Sequence, residues 1–356
     1  MRELFESTIE RLLGNLATSE YVLGCEGGAW PAELWSVLED SGFTLAAVPE
    51  ALGGGEAGWA DLYVLARAAG RFAAPVPLGE ALLANWLLGK AGLEGHSGVL
   101  SFGASVQLSL RRDKVDGSVH DVPWGRYVDA VVAVADTADG PRVVLLDRAA
   151  AAEQILALNV AGEPRDGLRF SSAPVLASAP LPAGMPGDVL LLGGALLRSA
   201  QIAGALRALL DMTSDYACER NQFGRPIGAF QAIQQQLAVF AEQAAAAGVA
   251  AEAAFVESDT DLAALSIAVA KVSTAEAASV GASIAHSVHG AIGFTQEYSL
   301  HLLSRRLWAW RSEFGSASLW SQRIGQLACA AGGQGYWPLL TGHATQSLPG
   351  LGGHTA

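Results

Sequence analysis

The chain has little cysteine. Cys25, Cys218 and Cys329 stand singly along 356 residues, too few and too scattered for a disulfide framework or a zinc cluster. That points to a reducing compartment, so a cytoplasmic protein without a metal site is expected. Basic residues are scarce as well: 22 Lys and Arg face 35 Asp and Glu, a net charge of −13, which disfavours nucleic acid and anionic membranes as partners. No apolar stretch reaches about 18 residues without a Gly, Arg or Gln, so no membrane span is expected. Met1-Arg-Glu-Leu-Phe-Glu6 is acidic and amphipathic, unlike a secretory signal. No internal repeat is present. Charged residues make up only 16% and hydrophobic ones 51%, a balance that excludes disorder and predicts extensive burial, subunit interfaces included.

What is present falls into four stretches. Residues 1–95 read as helical, with Phe5, Ile9, Leu12, Leu13 and Leu16 at helical spacing. Residues 96–182 carry short β-rich runs such as Ala130-Val-Val-Ala-Val-Ala135, punctuated by Asp116-Gly117 and Asp139-Gly140-Pro141. Residues 183–330 return to long helical runs; Phe230, Ile233, Leu237 and Phe240 form one stripe that a core face explains. Residues 331–356 are glycine-rich without a sustained period and read as a flexible tail.

The most informative stretch is Tyr216-Ala-Cys-Glu-Arg-Asn-Gln-Phe-Gly-Arg-Pro-Ile-Gly-Ala-Phe-Gln231. Gly224, Pro226 and Gly228 separate two helical runs, predicting a helix, a tight turn and another helix. Arg220 offers a fork suited to a phosphate pair, Phe223 a ring face, and Gln231 an amide suited to a purine edge. Further on, Ser287-Val-His-Gly-Ala-Ile-Gly-Phe-Thr-Gln-Glu-Tyr298 closes one helix with glycines that let backbone approach a pyrophosphate.

Both stretches resemble the acyl-CoA dehydrogenase family. The first matches its flavin-binding signature. The second matches at Gly290, Gly293, Phe294, Thr295, Glu297 and Tyr298, and departs at Ser287 and Ala291. The resemblance implies an α+β, mostly α fold: an N-terminal helical domain, a small middle β-barrel or sandwich, and a C-terminal four-helix bundle. It implies FAD, held by Arg220, Phe223, Gln231, Gly290, Gly293 and Ser316, an acyl-CoA substrate, and an electron-transfer flavoprotein as acceptor. The implied reaction removes an α proton and a β hydride from the thioester, and the proton step needs a carboxylate in a dry pocket.

At that carboxylate the chain departs from the pattern. One family position is Phe314 here, with Glu313 one residue early. The other is Gly194, and the arginine that commonly follows it is Ala195. The hydroxyl-bearing segments that cover the flavin ring in the family are also missing; Trp124 lies near one of them and reads as a core or interface aromatic. Glu313 is therefore the candidate base, set against a surface carboxylate pairing with Arg305, Arg306 or Arg311. In the family the Arg220-type arm reaches a neighbouring subunit's flavin. The chain thus resembles short members that form two-plus-two heterotetramers on steroid side chains and other bulky CoA esters; a homotetramer is the alternative state. Two other functions stay open: a non-catalytic scaffold subunit completing a partner's FAD site, and a flavin oxidase or monooxygenase on the same fold.

Overall fold

The computed structural model describes residues 1–341 apart from Gly27, Gly28, Ala104 and Thr260. Five helices come first: α1 (Arg2–Leu16), α2 (Ser19–Cys25), α3 (Ala32–Asp40), α4 (Trp59–Arg71) and α5 (Leu78–Lys90). Every residue of α5 from Leu78 to Gly89 is buried. A helix that is apolar all round must be covered on all sides, and α5 is wedged between α4, the first β-sheet and the long helix that follows the sheets.

Eight strands follow: β1 (Leu100–Phe102), β2 (Ser105–Arg111), β3 (Lys114–Pro123), β4 (Ala130–Ala135), β5 (Arg142–Asp147), β6 (Glu153–Ile155), β7 (Arg165–Pro174) and β8 (Ala177–Pro180). They form two four-stranded sheets, ordered β1-β4-β5-β8 and β2-β3-β7-β6. β1 and β4 pair in parallel. Leu110 N–H donates to Asp136 O, and Asp136 N–H donates to Leu108 O, both at 3.0 Å. These bonds tie the two sheets along one seam, so the small β domain is a partly closed barrel. Trp124 is buried in it, against Trp30 and Tyr127.

The C-terminal part is a bundle of α6 (Val189–Glu219), α7 (Gln231–Glu257), α8 (Ala264–His289) and α10 (Ala317–Leu340), with the shorter α9 (Leu300–Trp310) between the last two. The segment between α6 and α7 is more elaborate than a plain turn. β9 (Asn221–Gln222) and β10 (Arg225–Pro226) pair as a two-residue hairpin, with Phe223 at φ 52° and Gly224 at φ 81°. Positive φ at both central residues is the turn that matches strand twist, and glycine makes the second one easy.

Three expectations need correction. The glycine-rich tail does not begin at 331: α10 kinks at Gly332 and continues to Leu340, where Leu339 is buried. Apolar anchoring outweighs the weak helix propensity of glycine there; residues 342–356 lie outside the described set. The stripe on α7 is not a core face, since only Phe240 of its four residues is buried. Finally, α6 and α7 are both long and apolar enough to cross a membrane by length and composition. The apolar run of α6 is 94% buried within the bundle, and that of α7 only 33%.

Candidate functional site

Where the three parts meet, six charged side chains gather, five of them buried and Glu313 part-exposed toward a cavity. Glu80 comes from α5, Glu163 and Arg165 from the turn into β7, Arg198 from α6, Arg306 from α9, and Glu313 from the turn after α9. Arg165 grips Glu313 with two bonds, Nε to Oε1 at 2.9 Å and Nη2 to Oε2 at 3.0 Å. Arg198 Nε donates to Glu313 Oε2 at 2.8 Å, and its Nη2 to Glu80 Oε1 at 2.7 Å. Arg165 Nη2 also reaches Glu163 Oε2 at 2.8 Å, and Arg306 Nε lies 3.1 Å from Glu163 Oε1. Asn159 donates to both Glu163 and Glu313, and Trp310 Nε1 donates to Glu163. Three carboxylates balance three guanidiniums, the condition under which buried charge is tolerated.

This arrangement fixes the chemistry of Glu313. Burial pushes its carboxyl up, but the guanidiniums of Arg165 and Arg198 overcome that and hold it at about 2. A carboxylate so held is a poor proton acceptor. Glu313 is thus neither a surface group nor paired with Arg305, Arg306 or Arg311, because the turn aims it inward onto Arg165 and Arg198. Lys271 of α8 supports the turn from below, donating from Nζ to Trp310 O at 3.1 Å and to Arg311 O at 2.8 Å. Burial pulls its ammonium down to about 7.

The two positions expected for a base meet each other. A Cβ built on Gly194 would sit under 3.0 Å from Cγ, Cδ1 and Cδ2 of Phe314. The ring, itself buried, also packs on Phe102 at 5.2 Å between centroids and under the Arg198 guanidinium at 5.2 Å. Beside Glu313 opens a cavity of about 560 Å³, lined among others by Ser105, Asp121, Asn159, Arg165, Trp308 and Phe314.

The nucleotide-arm candidates gather at the other end of the bundle. Arg220 caps α6 and has no side-chain partner among the described residues. Phe223 is 92% exposed at the hairpin tip, and Gln231 opens α7. The loop from Gly290 to Tyr298 is knitted to this helix end by rings: His289 stacks on Tyr216 at 4.4 Å and lies 4.9 Å from Tyr298. Gly290 takes φ 63°, and Gly293 is buried against Leu300 and His286. Ser316 stands apart from them as the N-cap of α10, accepting from Leu319 N–H.

Residues 190–325 match the model of the acyl-CoA dehydrogenase C-terminal domain. The chain is 28% identical over 320 residues to the acyl-CoA dehydrogenase IpdE2 of Mycobacterium tuberculosis, covering 86% of this chain and 89% of that one. It is 32% identical over 306 residues to the acyl-CoA dehydrogenase FadE34 of the same organism, covering 80% of this chain and 40% of the relative. This chain belongs to the acyl-CoA dehydrogenase family. Among solved structures, a chain of the ChsE4–ChsE5 complex from Mycobacterium tuberculosis superposes with a TM-score of 0.83 at 24% identity, covering 92% of this chain and 97% of that one. A variant of the Tcur3481–Tcur3483 steroid ACAD superposes with a TM-score of 0.82 at 25% identity, covering 92% and 98%. The chain is thus a member of an oxidoreductase family.

Sequence reasoning missed Arg165, Arg198, Glu80, Glu163, Asn159 and Lys271. A signal was available for three of them. Glu80, Arg198 and Lys271 each stand alone in an apolar helical run, and a lone charge there must find a partner.

Proposed function

We propose that this member of the acyl-CoA dehydrogenase family is one subunit of a heteromeric, FAD-dependent enzyme, lending its hairpin arm to a partner's flavin while its own half takes no proton. The observation that carries this reading is the Phe314 ring lying on Gly194. Both places for a catalytic carboxylate are thereby occupied by groups that cannot accept a proton, and the neighbouring Glu313 is spent on two arginines. The residues fit the diphosphate half of the cofactor: Arg220 presents an unpaired fork beside the glycine loop. They do not fit the proton-transfer half. When bound, the flavin takes a hydride from the β carbon of the acyl-CoA thioester; the α proton would go to a group on the partner.

Arg220, Phe223, Gln231, Gly290 and Gly293 would hold the adenosine-diphosphate side, with Ser316, the N-cap of α10, as a further cofactor contact. The exposed apolar face of α7 supports assembly, since a helix of such composition is ordinarily covered. A bulky, steroid-type acyl group is the substrate class we assign, supported by the likeness to a steroid ACAD. An electron-transfer flavoprotein as acceptor and a cytoplasmic location complete the proposal.

The test is recovery of the tagged chain from its own cells. The expected product is a yellow complex with a second chain of this family, and Arg220→Ala should lower its flavin content. The lost charge-assisted bonds amount to about 1.5–3 kcal/mol. Recovery of a lone chain whose flavin is indifferent to Arg220→Ala would refute the reading.

A further inference from the structure

The cavity of about 560 Å³ beside Glu313 has the size of a small-molecule site, for which about 300–1,000 Å³ is usual. Leu158, Val160, Leu191, Trp308 and Phe314 give it apolar walls. Its guanidinium is already engaged. Arg165 donates from Nε to Glu313, from Nη1 to Pro164 O at 2.7 Å, and from Nη2 to Glu163. Both oxygens of Glu313 are engaged as well, one by Asn159 and Arg165, the other by Arg165 and Arg198. Arg311, stacked 4.1 Å over the ring of Trp308, donates to Ser279. Among the described residues the lining therefore offers an anion no free cation.

Asp121, at the lip, is differently placed. Val119 of β3 pairs with Leu168 and Val122 with Asp166, so β3 advances three residues while β7 advances two. The extra residue makes a β-bulge, a device that re-aims a side chain and is over-represented beside functional sites. Within it Asp121 takes φ 53°, and a non-glycine residue in that region persists where its surroundings enforce it. Its carboxylate is exposed and has no hydrogen bond or ion pair among the described residues. Ser105, which pairs with the adjacent His120, brings a hydroxyl to the same lip. Two polar groups without partners among the described residues thus stand over an apolar hollow, the ordinary composition of a ligand site.

We infer that this cavity binds an uncharged, bulky apolar molecule by a hydroxyl donated to the Asp121 carboxylate, and that it turns away anionic ligands. An ionised carboxylate only accepts hydrogen bonds, so the ligand must bring the donor. A phosphate, sulfate or carboxylate on the ligand would meet like charge at the lip, with no guanidinium left to offset it. Phe314 in the wall stands where a base would be needed, so the molecule is held and not processed. Neither FAD nor a partner subunit enters this site, which stands or falls independently of the arm at Arg220.

Isothermal titration calorimetry of the full-length chain tests it, with circular dichroism melts confirming that each variant is folded. The probes are androsterone, a rigid polycyclic alcohol, its sulfate ester, and coenzyme A. The wild type should bind androsterone, and should bind the sulfate roughly tenfold more weakly, since like charges then meet at the lip. Coenzyme A should give no binding heat. Asp121→Asn keeps a residue that tolerates positive φ; it should weaken androsterone binding roughly tenfold through loss of the charged acceptor, leave the sulfate no weaker, and so erase the preference. Leu191→Trp should fill the hollow and abolish binding of both. A wild type that does not bind androsterone, or that binds the sulfate or coenzyme A as tightly, overturns the inference. So does androsterone binding indifferent to Asp121→Asn or to Leu191→Trp.

Discussion

The Phe314 ring rests directly on the Cα of Gly194, so that no side chain can stand at 194 while the ring is in place. The two residues come from a turn and a helix 120 positions apart, yet each explains the other. Gly194 leaves the floor that the ring needs, and the ring fills the space that a carboxylate at 194 would occupy.

The contact predicts a non-additive pair of substitutions. Gly194→Ala alone should destabilise the chain by about 1–3 kcal/mol through overpacking, and Phe314→Ala alone by roughly 3–5 kcal/mol through the void it leaves. The double variant should lose less than the sum, with a coupling within the range of about 0.5–3 kcal/mol expected of residues in contact. Denaturant unfolding of the four proteins measures it; strict additivity would show that the two do not touch.

Arg198 ties two acidic groups from different parts of the fold. Replacing it with Met leaves Glu80 and Glu313 short of a counter-charge, and removing one partner of a buried pair costs about 3–5 kcal/mol. Unfolding midpoints of Arg198→Met should fall accordingly. A change near zero would mean that water already screens the network.

Glu313 gives stability a pH dependence of known sign. Its carboxyl is held at about 2, below its ordinary value, so the unfolded chain binds the proton more readily between those limits. Its contribution is therefore complete above the ordinary carboxylate range and fades as pH falls toward 2. Glu313→Gln should unfold at a midpoint less sensitive to acid than the wild type across that range.

Lys271 acts in the alkaline direction. Its ammonium titrates at about 7 when folded, against 10.5 for an ordinary lysine. Between these values the unfolded state binds more protons, so its contribution to stability grows as pH rises from 7 to 10.5. Lys271→Met should flatten that rise, which unfolding measured at neutral and alkaline pH will show.

How much of this was legible follows from how local each feature is. The arm at Arg220 and the loop at Gly290–Tyr298 could be read because their chemistry is packed into short stretches with fixed spacing. The alternation of helical and β-rich segments was legible from period for the same reason. The hairpin within the arm was not, because only two residues on each side pair and the strands have no run to detect. Nor was the role of Glu313. Its partners lie 115 and 148 residues away, and no local pattern tells a carboxylate which arginine it will meet. The aromatic at 314 was visible as a departure, but the fact that it closes on Gly194 emerges only once α6 and the turn after α9 are side by side.

The central claim is that this chain holds no working base of its own. The most direct test is anaerobic mixing of the purified lone chain, incubated with FAD, with a steroid-type acyl-CoA, while the flavin absorbance is followed. The account predicts that the yellow band persists unbleached; prompt bleaching by the acyl-CoA, in the absence of any second chain, would contradict it.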